Sequence, residues 1–161
     1  MSSLPQALAF VSLWEWGNRK DGGYTDDPVD PGGETKFGIS KRGHPDLDIK
    51  SLTLTEATLI YEKDYWLKIG ADKMEKRLAI VCFDSAVNCG VGRTRSWLDE
   101  LAKEKERNPQ RNESWAARWM IQRRTQYYLD LVKKRPALNK YIKGWLNRVN
   151  DLSKYVDIVT A

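Results

Sequence analysis

Apolar residues recur at helical spacing along most of the chain, which predicts a mainly α-helical protein. The first periodic segment begins near Ser3 and ends at Gly17, a residue that tolerates the left-handed backbone conformation common after helices. A second helix should follow Thr53, because Thr53 and Glu56 have the spacing of a capping box. Its apolar positions stay in register to about Trp66.

A third segment, residues 76–89, is apolar almost all round and predicts a buried central helix. Gly90 and Gly92 mark its end. Residues 93–106 then predict an amphipathic helix, which trails into a charged turn.

Two more helices complete the pattern. Asn112 can cap a long helix that reaches about Val132, and Pro136 separates this helix from the last one. On the last helix, apolar residues from Leu138 to Leu152 repeat at helical spacing and predict a face packed against the core.

Residues 17–39 interrupt the helical pattern with a polar loop rich in Gly, Pro and carboxylates. Gly and Pro both disfavour helix interiors, so this stretch cannot be helical. Residues 36–40 predict a short strand, one half of a small hairpin. The expected architecture is therefore one mainly α domain, residues 1–161, whose β structure lies near residues 24–40.

Length and composition agree with a single globular domain. The chain has 161 residues, of which 41% are hydrophobic and 30% charged. No apolar run approaches the length of a membrane span, and the N-terminus lacks the basic region and cleavage site of a secretory signal. We therefore expect a protein that accumulates in the cytoplasm or leaves it by a route that the sequence does not encode.

The net charge of +5 favours a polyanionic partner: nucleic acid, an anionic membrane or an acidic cell-wall polymer. No nucleic-acid recognition motif appears, so nucleic acid is not expected as the partner. Basic residues opposite the apolar face of the last helix leave membrane disruption open as an accessory activity, although core packing explains that face more simply.

The cysteines and the histidine offer no metal or redox chemistry. Cys82 and Cys89 are seven positions apart on one predicted helix, about 10 Å along its axis, which is too far for a disulfide. We expect them to pack in the core. No Cys/His cluster has metal-ligand spacing, the single His44 precedes Pro45 in a loop, and no cofactor is predicted.

The carboxylates of the polar loop and of the first helix suit the cleavage of a glycosidic bond. That reaction needs a protonated carboxyl group for the leaving oxygen and a second polar group that positions water or stabilises the developing cation. Glu15 suits the first role, because the end of its helix and the neighbouring Trp14 and Trp16 favour a neutral acid. Asp30 suits the second role, and the Thr35 hydroxyl could orient the water. An Asp in such a loop also commonly caps a turn with its own backbone, so this alternative stays open.

Longer motifs surround these residues. They include the runs Gly22-Gly23-Tyr24, Asp26-Asp27-Pro28, Asp30-Pro31-Gly32-Gly33-Glu34-Thr35-Lys36-Phe37-Gly38-Ile39, Phe83-Asp84-Ser85-Ala86-Val87-Asn88-Cys89-Gly90 and Gly144-Trp145-Leu146-Asn147-Arg148-Val149. With these motifs, the sequence resembles glycoside hydrolase family 108 over nearly its whole length. The resemblance implies a lysozyme-like N-acetylmuramidase, common as a bacteriophage endolysin, with a mainly α fold and a small β hairpin.

In one respect the chain departs from that family. The family pattern places a catalytic Glu directly before Gly-Gly-Tyr, whereas Asp21 occupies this position here and Glu15 lies six residues earlier. Two registers therefore compete for the proton donor, and we prefer Glu15, which follows the apolar first helix. Asp21 should lie in a wet loop and be ionised at neutral pH, which makes it a poor donor.

The resemblance also implies partners and a division of the chain. The expected substrate is the β-1,4 bond between N-acetylmuramic acid and N-acetylglucosamine in peptidoglycan, with Asp30 and Thr35 assisting Glu15 and with Tyr24, Tyr61 and Asn88 along the groove. Residues 1–92 would carry catalysis, and residues 93–161 would associate with peptidoglycan. A monomer would stay in the host cytoplasm until a holin-like pore released it to the wall and the cell lysed, an antimicrobial action. The alternative is an inactive cell-wall-binding or phage structural module of the same fold.

Overall fold

The computed structural model describes residues 2–17, 19–27 and 32–161. Within these ranges the chain forms six α-helices and one two-stranded antiparallel sheet, which confirms the predicted mainly α fold with a small hairpin. The elements are α1 (Leu4–Glu15), β1 (Thr35–Lys36), β2 (Ile39–Ser40), α2 (Leu54–Tyr61), α3 (Lys76–Cys89), α4 (Val91–Arg107), α5 (Glu113–Lys134) and α6 (Asn139–Val159).

Helix α1 ends where the glycine predicts. Gly17 adopts a positive φ of 60°, and its N–H donates to the Ser12 carbonyl at 3.0 Å. This left-handed termination satisfies a carbonyl of the last turn and turns the chain away from the helix axis. As a result, Glu15 is the last residue of α1, at the point where the polar loop begins.

The second helix is shorter than predicted. Thr53 and Glu56 form the capping box that the sequence indicates, and α2 begins at Leu54. The α-helix nevertheless ends at Tyr61, and the segment Glu62–Trp66 continues as a π-helical turn.

Helix α3 is the centre of the fold. All residues from Leu78 to Ala86 are buried, and α3 packs against α1, α4, α5 and α6. Gly90 ends α3 with a φ of 92°. Gly92 lies inside α4 and does not help to end α3. The chain turns at Gly90 alone, so α4 begins at Val91, two residues before the predicted start.

The last two helices begin near their predicted positions. The Asn112 side chain accepts a hydrogen bond from the Trp115 N–H at 2.9 Å and caps α5. Helix α6 buries Val149, Leu152 and Val156 in the core, whereas Tyr141, two turns before Val149, is exposed. The apolar face of α6 is therefore packed only along its second half.

The hairpin is tighter than the predicted strand over residues 36–40. Thr35 pairs with Ser40 and Lys36 with Ile39, so Phe37 and Gly38 form a two-residue turn inside that stretch. Both turn residues have positive φ, 52° and 73°, as the twist of a short hairpin favours. The unusual φ of Phe37 is held by the Tyr61 hydroxyl, which donates to the Phe37 carbonyl at 2.9 Å.

Among the described residues, no helix is both long and apolar enough to cross a membrane. Both cysteines are free thiols on α3, with Cys82 buried as predicted and Cys89 only half-buried. Burial raises the pKa of Cys82.

Candidate active site

Glu15 lies at the junction of α1 and the hairpin. Its side chain is 24% exposed, and its stem packs against the hairpin turn at Gly38. A Cβ atom at Gly38 would lie 3.1 Å from the Cβ of Glu15 and 2.5 Å from the Tyr61 hydroxyl oxygen. Only a glycine therefore lets the turn approach the stem of the Glu15 side chain so closely.

The Glu15 carboxylate is fixed by an arginine from the far end of the chain. Arg148, on α6, donates from Nη1 to Oε1 of Glu15 at 2.7 Å, and only 7% of the Arg148 side chain is exposed. The same guanidinium lies 5.9 Å from the ring centroid of Trp14. Oε2 of Glu15 accepts no hydrogen bond from the residues that the structure describes.

Asp84 holds Arg148 from the other side. This buried carboxylate of α3 accepts hydrogen bonds from Nη2 of Arg148 at 2.6 Å and from Nη1 of Arg124, on α5, at 2.6 Å. Burial alone would raise the pKa of Asp84, but the two guanidinium groups outweigh it, and its pKa is lowered. Two carboxylates and two guanidinium groups form this ion cluster (Glu15, Arg148, Asp84, Arg124), so their charges balance when both acids are ionised.

The ion cluster continues into a hydrogen-bonded chain that reaches Asn88. Arg124 donates from Nε to the Tyr128 hydroxyl at 2.9 Å, and this hydroxyl in turn donates to Oδ1 of Asn88. The Cys89 thiol lies 3.2 Å from the same hydroxyl. Burial raises the pKa of Tyr128, so the hydroxyl remains a neutral donor.

Both tyrosines that the sequence placed along the groove, Tyr24 and Tyr61, have their hydroxyl groups hydrogen-bonded within the protein. Tyr61 is 2% exposed, and its hydroxyl is used by the hairpin turn, so it lies behind the Glu15 site. Tyr24 is half-buried, and its hydroxyl donates to Oε1 of Glu34 at 2.7 Å; this hydrogen bond raises the pKa of Tyr24 to about 12. Thr35 is half-buried in β1 and donates to the Gly33 carbonyl at 3.3 Å.

Asp30 and Asp21 are the two remaining acids named from the sequence. Asp30 lies outside the described residues. Asp21 is exposed, and its Oδ1 accepts a hydrogen bond from the Gly23 N–H at 2.9 Å, which is the turn-capping role common for Asp in such loops. Of the two candidate proton donors, only Glu15 belongs to the ion cluster.

Sequence reasoning missed Asp84, Arg124 and Arg148. One signal was available for Asp84. It lies in segment 76–89, which is apolar almost all round, and a buried carboxylate there needs a positively charged partner. The partners themselves could not be chosen, because Arg124 and Arg148 lie 40 and 64 positions away from Asp84 in the sequence. Among the described residues, no group of three or more His, Cys, Asp or Glu side chains could hold a metal ion.

The chain was compared with families and structures of known proteins. Residues 15–90 match the family model described as glycosyl hydrolase 108, and residues 85–150 match the model described as a predicted peptidoglycan domain. A search of curated proteins gives no match. The chain is similar to the solved structure described as "Structure of Brucella abortus SagA", with a TM-score of 0.73 and 24% identity over 96% of this chain and 93% of that chain.

These matches confirm the resemblance to glycoside hydrolase family 108 over residues 15–90, and the structural likeness agrees with a lysozyme-like fold. Together, the two family matches support a hydrolase that acts on peptidoglycan.

Proposed function

We propose that this chain, with its glycosyl hydrolase 108 region, hydrolyses the β-1,4 bond between N-acetylmuramic acid and N-acetylglucosamine, and that Glu15 is the general acid. The observation that carries this proposal is the setting of Glu15. Its carboxylate is fixed by Arg148 through one oxygen, its side chain is 24% exposed, and the stem of this side chain packs beside the hairpin turn. A proton donor needs such a fixed but accessible position.

The two oxygens of Glu15 suit different roles. Oε1 accepts the hydrogen bond from Arg148, which sets the orientation of the carboxyl group. A proton on Oε2 can then be donated to the glycosidic oxygen as the bond to the anomeric carbon breaks. Glu15 keeps its contact with Arg148 throughout, so little reorganisation is needed during the reaction.

The other half of the reaction needs a water molecule and a group that accepts its proton. We propose Asp30 for this role and Thr35 as the residue that orients the water, because Thr35 belongs to the hairpin beside Glu15 and Asp30 precedes it by five residues in the sequence. The water oxygen bonds to the anomeric carbon, and its proton passes to the Asp30 carboxylate. This direct attack by water inverts the configuration at the anomeric carbon and requires the two carboxyl groups to lie about 6.5–9.5 Å apart.

Both parts of the chain would contribute residues to the reaction. Residues 1–92 supply Glu15 and the hairpin, and residues 93–161 supply the peptidoglycan-associated helices and Arg148. Within this scheme Tyr24 and Asn88, both half-buried, are the proposed contacts to sugar. Tyr61 would act through the hairpin turn that it holds, rather than by touching the substrate.

The decisive experiment compares Glu15→Gln with Asp21→Asn on purified peptidoglycan. Each change removes one carboxylate with almost no change in shape. We expect Glu15→Gln to abolish the release of muropeptides with muramic acid at the new reducing end, measured by mass spectrometry, and Asp21→Asn to retain it. Loss of activity in Asp21→Asn alone would reverse the assignment of the acid, and circular dichroism checks that both variants fold.

An inactive cell-wall-binding module is the second candidate, and one observation favours it. The Glu15–Arg148 ion pair would also be expected if Glu15 had a purely structural role. Such a protein would sediment with purified sacculi, the intact peptidoglycan of the cell, and release no product from them.

As a biological setting, we propose a bacteriophage endolysin that acts as a monomer. The net charge of +5 would draw it to an anionic wall. A holin-like pore would give it access from the host cytoplasm. Lysis of cells that express the chain together with a holin, and not without one, would support this setting.

A further inference from the structure

A column of stacked aromatic rings runs from the ion cluster to the protein surface. Tyr128, which accepts a hydrogen bond from Arg124, stacks on Trp145 with ring centroids 5.0 Å apart and an interplanar angle of 20°. Trp145 stacks in turn on Tyr141 at 5.8 Å and 29°. The column thus has a buried inner ring and an outer ring, Tyr141, that is 47% exposed.

Exposure of one aromatic residue is common and needs no explanation by itself. The position of Tyr141 is more specific, because it is the only exposed aromatic side chain within the described ranges and it ends a rigid column. Tyr128 is 2% exposed and Trp145 is half-buried, so Tyr141 is the most accessible ring of the column. A ring held in this way loses little conformational freedom on binding.

Helix α6 relates Tyr141 to the candidate acid. Tyr141, Trp145 and Arg148 follow each other at spacings of four and three residues, so they share one face of the helix. Tyr141 lies seven residues before Arg148, which is about 10 Å along the helix axis. Because Arg148 bonds to Glu15, Tyr141 shares a helix face with the residue that orients the candidate acid.

We propose that Tyr141, which lies in the region that matches the predicted peptidoglycan domain, is a sugar-stacking subsite for the glycan strand; this rests on the proposed function. The C–H groups on one face of a hexosamine ring would pack against the electron-rich face of Tyr141. Lys140 has its Nζ over this ring, 4.9 Å from the centroid. A sugar that packs on the ring displaces this exposed side chain, whose ammonium group can then donate hydrogen bonds to sugar hydroxyls.

The test measures binding of the full chain to purified glycan strands from which the stem peptides have been removed, and to intact sacculi. Three variants are compared with the wild type: Tyr141→Ala, Tyr141→Trp and Ile158→Ala. Ile158, at the other end of α6, is 75% exposed and serves as the control for the loss of an exposed apolar side chain. We expect Tyr141→Ala to weaken binding to both materials about three- to tenfold, as the loss of one aromatic contact predicts, and the other two variants to bind like the wild type.

Equal binding of Tyr141→Ala and the wild type to the stripped strands would overturn the subsite. A loss confined to intact sacculi would also overturn it, because the occupant would then be the stem peptide. All the proteins in the assay also carry Glu15→Gln, so that the strands are not cleaved while binding is measured. The result therefore stands even if the protein with Glu15 intact releases no product, in which case the proposed hydrolysis fails and the subsite remains.

Discussion

Gly38 lets the hairpin turn pack against the stem of the Glu15 side chain, so the candidate site depends on a residue that has no side chain. The backbone there has a φ of 73°, and a Cβ atom would lie 2.5 Å from the Tyr61 hydroxyl oxygen and 3.1 Å from the Cβ of Glu15. The motif that contains Gly38 was visible in the sequence. The reason for a glycine at this position was not, because it lies in contacts with Glu15 and Tyr61, both about 23 residues away in the sequence.

We expect Gly38→Ala to lower both stability and activity. The left-handed backbone alone costs an alanine about 1–2 kcal/mol, and the contact with Tyr61 adds to this cost. The free energy of unfolding in urea and the rate of product release from peptidoglycan measure the two effects.

Gly92→Ala is the matched control for that change. Gly92 lies in α4, and no heavy atom comes within 4 Å of a Cβ placed there. An alanine in a helix is favoured over glycine by up to about 1 kcal/mol, so this variant should be as stable as the wild type or more stable. Equal stability of the two variants would contradict the packing described for Gly38.

At the scale of secondary-structure elements, the beginnings of helices were predicted better than their ends. Thr53 and Asn112 cap α2 and α5 as expected, because a side chain that bonds to a backbone N–H three residues later is a purely local interaction. The end of α2 at Tyr61 depends instead on tertiary packing, since Tyr61 bonds to the hairpin. The hairpin itself was located, but its turn was not, because alternation within five residues does not show where a strand reverses.

We expect Asn112→Ala to destabilise the protein by about 1 kcal/mol, because the Trp115 N–H would lose its acceptor. Asn112→Asp should retain the stability, since a carboxylate also caps a helix N-terminus. Urea denaturation of the three proteins measures both effects. If Asn112→Asp were as unstable as Asn112→Ala, the cap would not be the cause.

At the scale of the whole molecule, the ion cluster ties α1, α3, α5 and α6 together. The sequence predicted each helix and named Glu15, but the periodic pattern has no information on which charged residues meet across 64 or 133 positions. It also led to the prediction that the apolar face of α6 packs on the core, whereas the structure buries only the second half of it. Local chemistry thus predicted the elements, and long-range charge pairing completed the candidate site.

The lowered pKa of Asp84 predicts how the stability of the fold depends on pH. A carboxylate with a pKa lower in the folded than in the unfolded state contributes stability that is complete above its ordinary value, 3.8, and is lost as the pH falls through the folded value. We therefore expect the melting temperature to hold as the pH is lowered towards 4 and to fall below it.

Asp84→Asn is the variant that assigns this acid transition. It leaves two guanidinium groups without their shared carboxylate, so we expect a loss of about 3–5 kcal/mol at neutral pH and a shallower decline below pH 4. A decline as steep as in the wild type would assign the transition to other carboxylates.

The ion cluster also bears on how this protein can be recombined with its homologues. Glu15 and Asp84 come from the part that matches glycosyl hydrolase 108, and Arg124 and Arg148 from the part that matches the peptidoglycan domain. A chimera joined between the two parts would inherit acids and bases from different parents. Grafting either part therefore requires that all four residues of the ion cluster are transferred together. In protein engineering and in evolution, the two regions should be exchanged as one unit.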